Sequence, residues 1–186
     1  ENPLHETPKD LTSGAGLRVI ARADDCLSAA QSWAEQKGFS VINLGGDLEG
    51  DAKALGETHA LRAIELQDSG QKAVLISGGE ATVTVRNPNG CGGPNMDYVL
   101  GAALALQGRE GIAVLACDTD GIDGSEDAAG GFVDETTLER CKSLSINLPD
   151  LLEQNRSYDA LKVLGDLILT GPTRTNVNDF RAILIE

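Results

Sequence analysis

Short apolar runs alternate with stretches whose hydrophobics recur at helical spacing, which predicts an α/β fold: a layered α/β/α domain around a mixed, mostly parallel sheet. Two further observations point the same way. Ala73–Ile76 and Ile112–Cys117 are apolar at every position, as central strands covered on both faces are. Four loops rich in Gly, Asn, Asp or Thr follow apolar strands or open helices, where open α/β sheets place their ligands.

Taken in order, residues 1–16 hold Pro3, Pro8 and the Thr12-Ser13-Gly14 turn signal and read as a linker or extended arm. Leu17–Arg22, with Val19 and Ile20, reads as a first strand. Asp24 and Asp25 offer an N-cap to a helix carrying Leu27, Ala30, Trp33 and Ala34, which Gly38 closes. Ser40–Leu44 is a second strand, and a long helix runs from Gly50 or Asp51 to about Gln67, with Leu55, Ala60, Ala63 and Ile64 on its apolar face. Ser77-Gly78-Gly79-Glu80 is expected to break the third strand sharply. Ala81–Arg86, where Val83 and Val85 alternate with threonines, then returns as an antiparallel partner. Asn95 starts a helix to about Gln107. After the strand Ile112–Cys117 and a long acidic loop come three short helices, near Glu135–Ser143, Pro149–Gln154 and Tyr158–Leu164. Leu167–Thr170 and Phe180–Ile185 are the last strands.

The 186 residues suit one domain, and Met96 is the only methionine, so the chain reads as a piece or processed product of a longer protein. Basic residues number 15 against 29 acidic, a formal net charge of −14, which repels nucleic-acid backbones and anionic membranes. No apolar run is long enough to span a bilayer and the N-terminus lacks the pattern of a secretory signal. Cys26, Cys91, Cys117 and Cys141 are far apart with no C-x-x-C pair, and only His5 and His59 accompany them, so a zinc site is not expected. Free thiols, with Cys117 buried, suit a cytoplasmic location.

Four loops carry the candidate chemistry. Ser77, Gly78 and Gly79 could hold a phosphate or carboxylate on backbone amides, with Glu80 as base or metal ligand; the alternative is a tight turn with a solvated Glu. Gly92, Gly93 and Asn95 lead into a helix N-terminus that favours an anion, or are an ordinary capped start. Asp118, Asp120 and Asp123 place three carboxylates within six residues just past a strand, and they repel each other unless a cation or hydrogen-bond donors compensate. Magnesium bound with nucleotide phosphates fits, with Asp118 and Asp120 as metal residues; an EF-hand does not, because Ile122 stands at a ligand position and Asp123 at the required glycine. The plain alternative is an acidic turn that binds nothing. Thr173, Arg174, Thr175, Asn176 and Asn178 could orient a polyol or carboxylate, or merely stabilise their own hairpin. No P-loop, no dinucleotide fingerprint for NAD and no nucleophile-elbow motif is present.

Together the stretches Ser77-Gly78-Gly79-Glu80 with Thr82-Val83-Thr84-Val85, Gly92-Gly93-x-Asn95, Asp118-Thr119-Asp120-Gly121-Ile122-Asp123-Gly124 and Gly171-Pro172-Thr173-x-Thr175-Asn176-Val177-Asn178-Asp179 resemble the type II glycerate kinases that carry the MOFRL domain. Glu6-Thr7-Pro8-Lys9 and Leu48-Glu49-Gly50 extend the resemblance over nearly the whole chain. Members are often labelled hydroxypyruvate reductases of tartrate utilisation. The resemblance implies a two-domain kinase that phosphorylates D-glycerate on its 2-hydroxyl with ATP and a divalent cation, its active site between the domains. It makes residues 1–16 the arm from an N-terminal domain bearing a catalytic Lys, and residues 17–186 the C-terminal domain, expected to be inactive alone. A homodimer stays open. Asp118, Asp120 and Asp123 would then manage Mg²⁺ and phosphate, the two glycine loops would cradle anions, and the last loop would fix glycerate. Two departures stand out: many members have Gly-Gly-Arg-Asn where this chain has Pro94, and Arg174 occupies a slot that is often Gly, so Arg174 is the candidate substitute for the lost guanidinium. A reductase or a non-catalytic binding domain are the alternatives.

Overall fold

The computed structural model describes residues 19–186. The expected arm, and Leu17 and Arg18 of the first expected strand, lie outside the described residues. Val19–Arg22 form no strand: Val19 and Ile20 are exposed and no ladder is made there. Helix α1 (Ala23–Gln36) follows, its first turn held by the Asp25 carboxylate accepting from the Arg22 N–H at 2.8 Å. Strand β1 (Ser40–Asn43) is as expected, and a short β2 (Leu48–Asp51) precedes α2 (Ala52–Asp68), which Asp51 caps by accepting from the Ala54 N–H at 3.0 Å.

The largest difference from expectation is β3 (Ala73–Thr82), a strand of ten residues that runs straight through Ser77-Gly78-Gly79-Glu80. Its first half pairs in parallel with β1, Ser40 opposite Ala73, and its second half with β2, Leu48 opposite Gly79. The glycines are there because strands crowd in: a Cβ on Gly79 would collide with the Leu48 backbone, and one on Gly78 would press on the Asp179 carbonyl. The antiparallel partner is not Ala81–Arg86 but β7 (Asp179–Ile185). It also pairs antiparallel with β4 (Ile112–Asp118), which continues antiparallel to β5 (Gly130–Val133) and β6 (Leu167–Ile168).

The sheet order is β1-β3-β7-β4-β5-β6, with β2 collinear with β1 along the β3 edge. The fold is α/β with a mixed sheet, as predicted, but antiparallel pairings outnumber parallel ones. The expectation of a mostly parallel sheet fails because the last strand inserts between β3 and β4 instead of adding at an edge. Helix α3 (Pro94–Leu106) packs on α2, partly through Gly56, and both cover one sheet face. Helices α4 (Thr137–Ser143), α5 (Leu148–Glu153) and α6 (Ser157–Leu164) close its flank. Among the described residues only α1 lies on the other face, beside the half-buried Phe180, Ala182 and Leu184, with Trp33 at 64% exposure. No helix of the described residues is long and apolar enough to cross a membrane. Cysteines 26, 91, 117 and 141 are free; Cys141 is buried, whereas Cys117 is only half-buried.

Candidate functional site

Strand β2, the end of β3, the loop after β4, the start of β7 and the N-terminus of α3 meet at one end of the sheet. There Asp123 is 1% exposed, and its carboxylate accepts from the Asn95 N–H at 3.1 Å, the Met96 N–H at 2.9 Å and the Asn95 side-chain amide at 3.3 Å. The free N–H groups that open α3 are therefore capped by a side chain from the aspartate loop, not held for a ligand. Gly93 lets the two segments meet, because a Cβ there would strike the Asp123 carboxyl. Burial pushes Asp123 up to about 7, against the pull of its N–H donors and with the help of the Asp179 charge.

Asn95 also donates to Asp179 at 2.7 Å. Asp179 is ion-paired with Arg181, which is 1% exposed and donates to the Gly78 carbonyl at 2.9 Å. The guanidinium lies 5.5 Å from the Tyr98 ring centre, and the Tyr98 hydroxyl is 2.9 Å from Nδ1 of the buried His59. Burial, reinforced by Arg181, holds His59 below the usual histidine range. A continuous polar chain thus runs from the aspartate loop through α3 and β7 to α2, and a buried charge pair of this kind is costly to break on one side.

The rest of the aspartate loop is tied to the loop before β7. Thr119 donates through Oγ to the Asn178 carbonyl at 2.8 Å and accepts from the Val177 N–H at 2.8 Å. Thr173 donates through Oγ to the Thr119 carbonyl at 2.5 Å, and its N–H reaches the Asp120 carbonyl at 2.9 Å. Asp120 accepts from the Ile122 N–H at 2.8 Å and from the Asn176 amide at 3.4 Å. Asn178 donates its N–H to the Asn176 side chain at 2.9 Å. Thr175 accepts from the Thr173 hydroxyl through its carbonyl at 3.2 Å. Arg174 is exposed at a φ of 63°, the left-handed region a glycine occupies without strain, and it lies outside the cleft described next.

Beside these loops opens a cleft of about 670 Å³ lined by Glu49, Glu80, Pro94, Asp118, Asp123, Gly124 and Asp179 among others. Its carboxylates come in cross-strand pairs: Glu49 stands opposite Glu80, and Asp118 opposite Asp179. Like charges placed opposite one another destabilise a sheet unless compensated. Arg181 compensates Asp179, but among the described residues no Lys or Arg lines the cleft. Asp118 accepts from the Asp120 N–H at 2.9 Å through one oxygen, and burial with the neighbouring carboxylates pushes it above the usual range. Glu80 is exposed on the same cleft, on β3, with β7 between it and Asp118.

The geometry sorts the sequence candidates. Asp118 and Glu80 face the cleft with oxygen atoms to offer. Asp123, expected to act on a cation, is a buried helix cap. Asp120, Thr173, Thr175, Asn176 and Asn178 bind each other's loops. Ser77, Gly78 and Gly79 form no anion cradle, since they lie inside a strand and the Gly78 N–H donates to the Gly45 carbonyl at 2.8 Å. Gly92, Gly93 and Asn95 form none either, with their helix start capped by Asp123. Glu49, Asp179 and Arg181 were not singled out as site residues, although Asp179 closes the last motif. A divalent cation fits this donor set in one way. Among the described residues no cluster of three or more ligands exists, so a cation would rest on one or two carboxylates, Asp118 and Glu80, with phosphate oxygens completing its shell.

The sequence profile of the MOFRL family matches residues 73–179, which hold β3 to β6 and most of the cleft's lining. The chain is 43% identical, over 97% of its length, to an Agrobacterium vitis protein provisionally named hydroxypyruvate reductase, of which it covers 42%. It is 41% identical over 95% of its length to a D-glycerate 2-kinase of Thermotoga maritima, covering 43% of that protein. The crystal structure of a Thermotoga maritima glycerate kinase superposes with a TM-score of 0.88 over 98% of this chain and 45% of that one. The chain thus spans less than half the length of the relatives it matches. With its matched region, its fold and its loops in agreement, the chain belongs to the MOFRL family.

Proposed function

We propose that this chain is the C-terminal half of an ATP-dependent glycerate 2-kinase that works in the cytoplasm, its cleft forming one wall of the active site. The observation that carries this reading is the uncompensated carboxylate wall of Asp118, Glu80 and Glu49 at the strand ends, in a fold 41% identical to a protein named as a D-glycerate 2-kinase. Phosphoryl transfer needs positioning and charge neutralisation more than covalent chemistry. A divalent cation held by Asp118 and Glu80 would offset their charge and that of the phosphates. Asp118 keeps one oxygen fixed on the Asp120 N–H and the other toward the cleft, so its orientation is set before ligand arrives. The zipped loops around Thr119, Thr173 and Asn178 hold that strand end rigid. Glycerate is an anion and this wall supplies it no cation, so its carboxylate is held by residues of the other half of the protein. That assignment leaves Arg174 with no substrate role. The chain alone is expected to release no ADP from glycerate and ATP.

The test is an assay of the full-length protein with glycerate and ATP beside hydroxypyruvate and NADH. Glycerate-dependent ADP release with 2-phosphoglycerate as product supports the kinase. Oxidation of NADH with hydroxypyruvate, and no phosphorylated product, would establish the reductase instead.

A further inference from the structure

A second hollow, of about 280 Å³, adjoins the acidic cleft; Pro94 and Gly124 line both. Its walls are largely apolar or flat: Val83 and Val85 beyond the end of β3, Pro88, and the glycines that precede α3. One ionisable side chain lines it, Asp97, in the first turn of α3. Asp97 is 6% exposed, and its carboxylate makes no hydrogen bond of good geometry among the described residues. The buried Ser157 hydroxyl, which has no other partner, is the donor that pulls this carboxyl back down, and Asp97 also borders a further hollow lined by Lys53 and Arg86. A buried carboxylate left in this condition costs stability and wants a donor. The fold does not require Asp97 as a helix cap, because Asp123 already caps α3.

We infer that this hollow receives the base of the nucleotide, and that the Asp97 carboxylate accepts a hydrogen bond from an exocyclic amine such as that of adenine. The inference rests on the kinase reading for the nucleotide's presence and goes beyond it in naming where the base lies and what reads it. Three features select such a ligand. The lining contains no cation, so phosphate and carboxylate groups are excluded from the hollow. Apolar side chains and bare glycine backbone present flat surface, which suits a planar ring better than a polyol. The shared wall at Pro94 and Gly124 leads into the cleft where Asp118 and Glu80 would meet the phosphates, so one molecule can occupy both. Burial raises the Asp97 carboxyl only to about 6, with the Ser157 hydroxyl and Lys53 opposing and Asp51 adding to the rise, so at pH 7.5 it is ionised and a pure acceptor.

The experiment uses the full-length protein and compares ATP with ITP, which carries a carbonyl in place of the amine. The wild type is expected to prefer ATP in kcat/KM by on the order of 10- to 100-fold, the size of a hydrogen bond to a charged group. Asp97→Asn, close in shape and able to donate as well as accept, should bring the two nucleotides within about threefold. Val85→Glu, at a position 70% exposed and therefore harmless to folding, should raise the KM for ATP several-fold and leave that for glycerate unchanged. Direct binding of adenosine and inosine separates this inference from the kinase reading. If glycerate is not phosphorylated but adenosine binds in an Asp97-dependent way, the hollow is a base site in a protein of another activity, and the inference stands. Efficient ATP turnover with no ATP preference in the wild type, or with the preference intact in Asp97→Asn, overturns it. So does an Asp97→Asn protein that loses several degrees of Tm while keeping its selectivity, because the carboxylate would then be pairing with a basic side chain from the other half of the protein.

Discussion

The carboxylates at the strand ends divide into an inner set, Asp123 and Asp179, and an outer set, Asp118, Glu80 and Glu49. Asp118 and Asp123 even belong to one loop. The inner pair is buried and fully engaged: Asp123 with three donors at the start of α3, Asp179 with Asn95, the Ala81 N–H and Arg181. The outer set lines open space and faces like charge across the strands. All five are acidic side chains at strand ends or in the loops between them; what separates the sets is whether neighbouring N–H groups and Arg181 already satisfy them. The inner set fixes the loops, and the outer set is left to act on a ligand.

Removing the inner set's counter-charge should give the largest stability effect. Arg181→Met leaves Asp179 buried with no cation, which costs roughly 3–5 kcal/mol. For a chain of this size that is about 10 °C in Tm, read by thermal unfolding. A fall of only a degree or two would mean that the pair is not a keystone of this end of the sheet.

A smaller effect separates the sets by pH. The folded pKa of Asp123, about 7, lies above its unfolded value, so its contribution to stability is complete below the unfolded pKa of about 4, falls as pH rises from there to 7, and levels off above it. Between about pH 5 and 7 this removes about 2 kcal/mol of stability, and above about pH 7.5 the slope disappears. Asp123→Asn should abolish that slope. His59, held below its ordinary range, acts in the opposite sense but only as pH falls through about 6.5. A slope that persists in Asp123→Asn assigns the titration to another group. Smallest of all, Arg174→Gly should raise stability by up to about 1 kcal/mol, by relieving a left-handed non-glycine residue. It should leave the glycerate KM unchanged. A several-fold rise in that KM would bring Arg174 back as the carboxylate's partner.

Much of this was legible in the sequence. Periodicity located α1, α2, α3 and the three short helices, because each buries one face against the sheet or against a neighbouring helix. The apolar runs located β1, β4 and β7. What failed was pairing. Ser77-Gly78-Gly79-Glu80 carries the composition of a turn, yet its glycines serve the close approach of β2 and β7, a demand made by residues 30 and 100 positions away in the chain. The same blindness affected the site. Three aspartates in six residues announced chemistry, but only the position of α3 shows that Asp123 faces its N–H groups. Arg181 carries no local signal in the sequence that marks it as the internal partner of Asp179.

The central claim is that the outer carboxylates act on the ligand while the inner ones build the fold, and Asp118→Asn in the full-length protein tests it most directly. The account predicts a loss of about 10²–10³ in kcat per folded molecule, the usual consequence of removing one preorganised electrostatic contact. Tm should be unchanged or slightly higher, because Asp118 sits against like charge and is already pushed toward its neutral form. Wild-type turnover in the folded Asp118→Asn protein, or a large fall in Tm with activity retained, would contradict the account and place Asp118 with the residues that merely hold the loop.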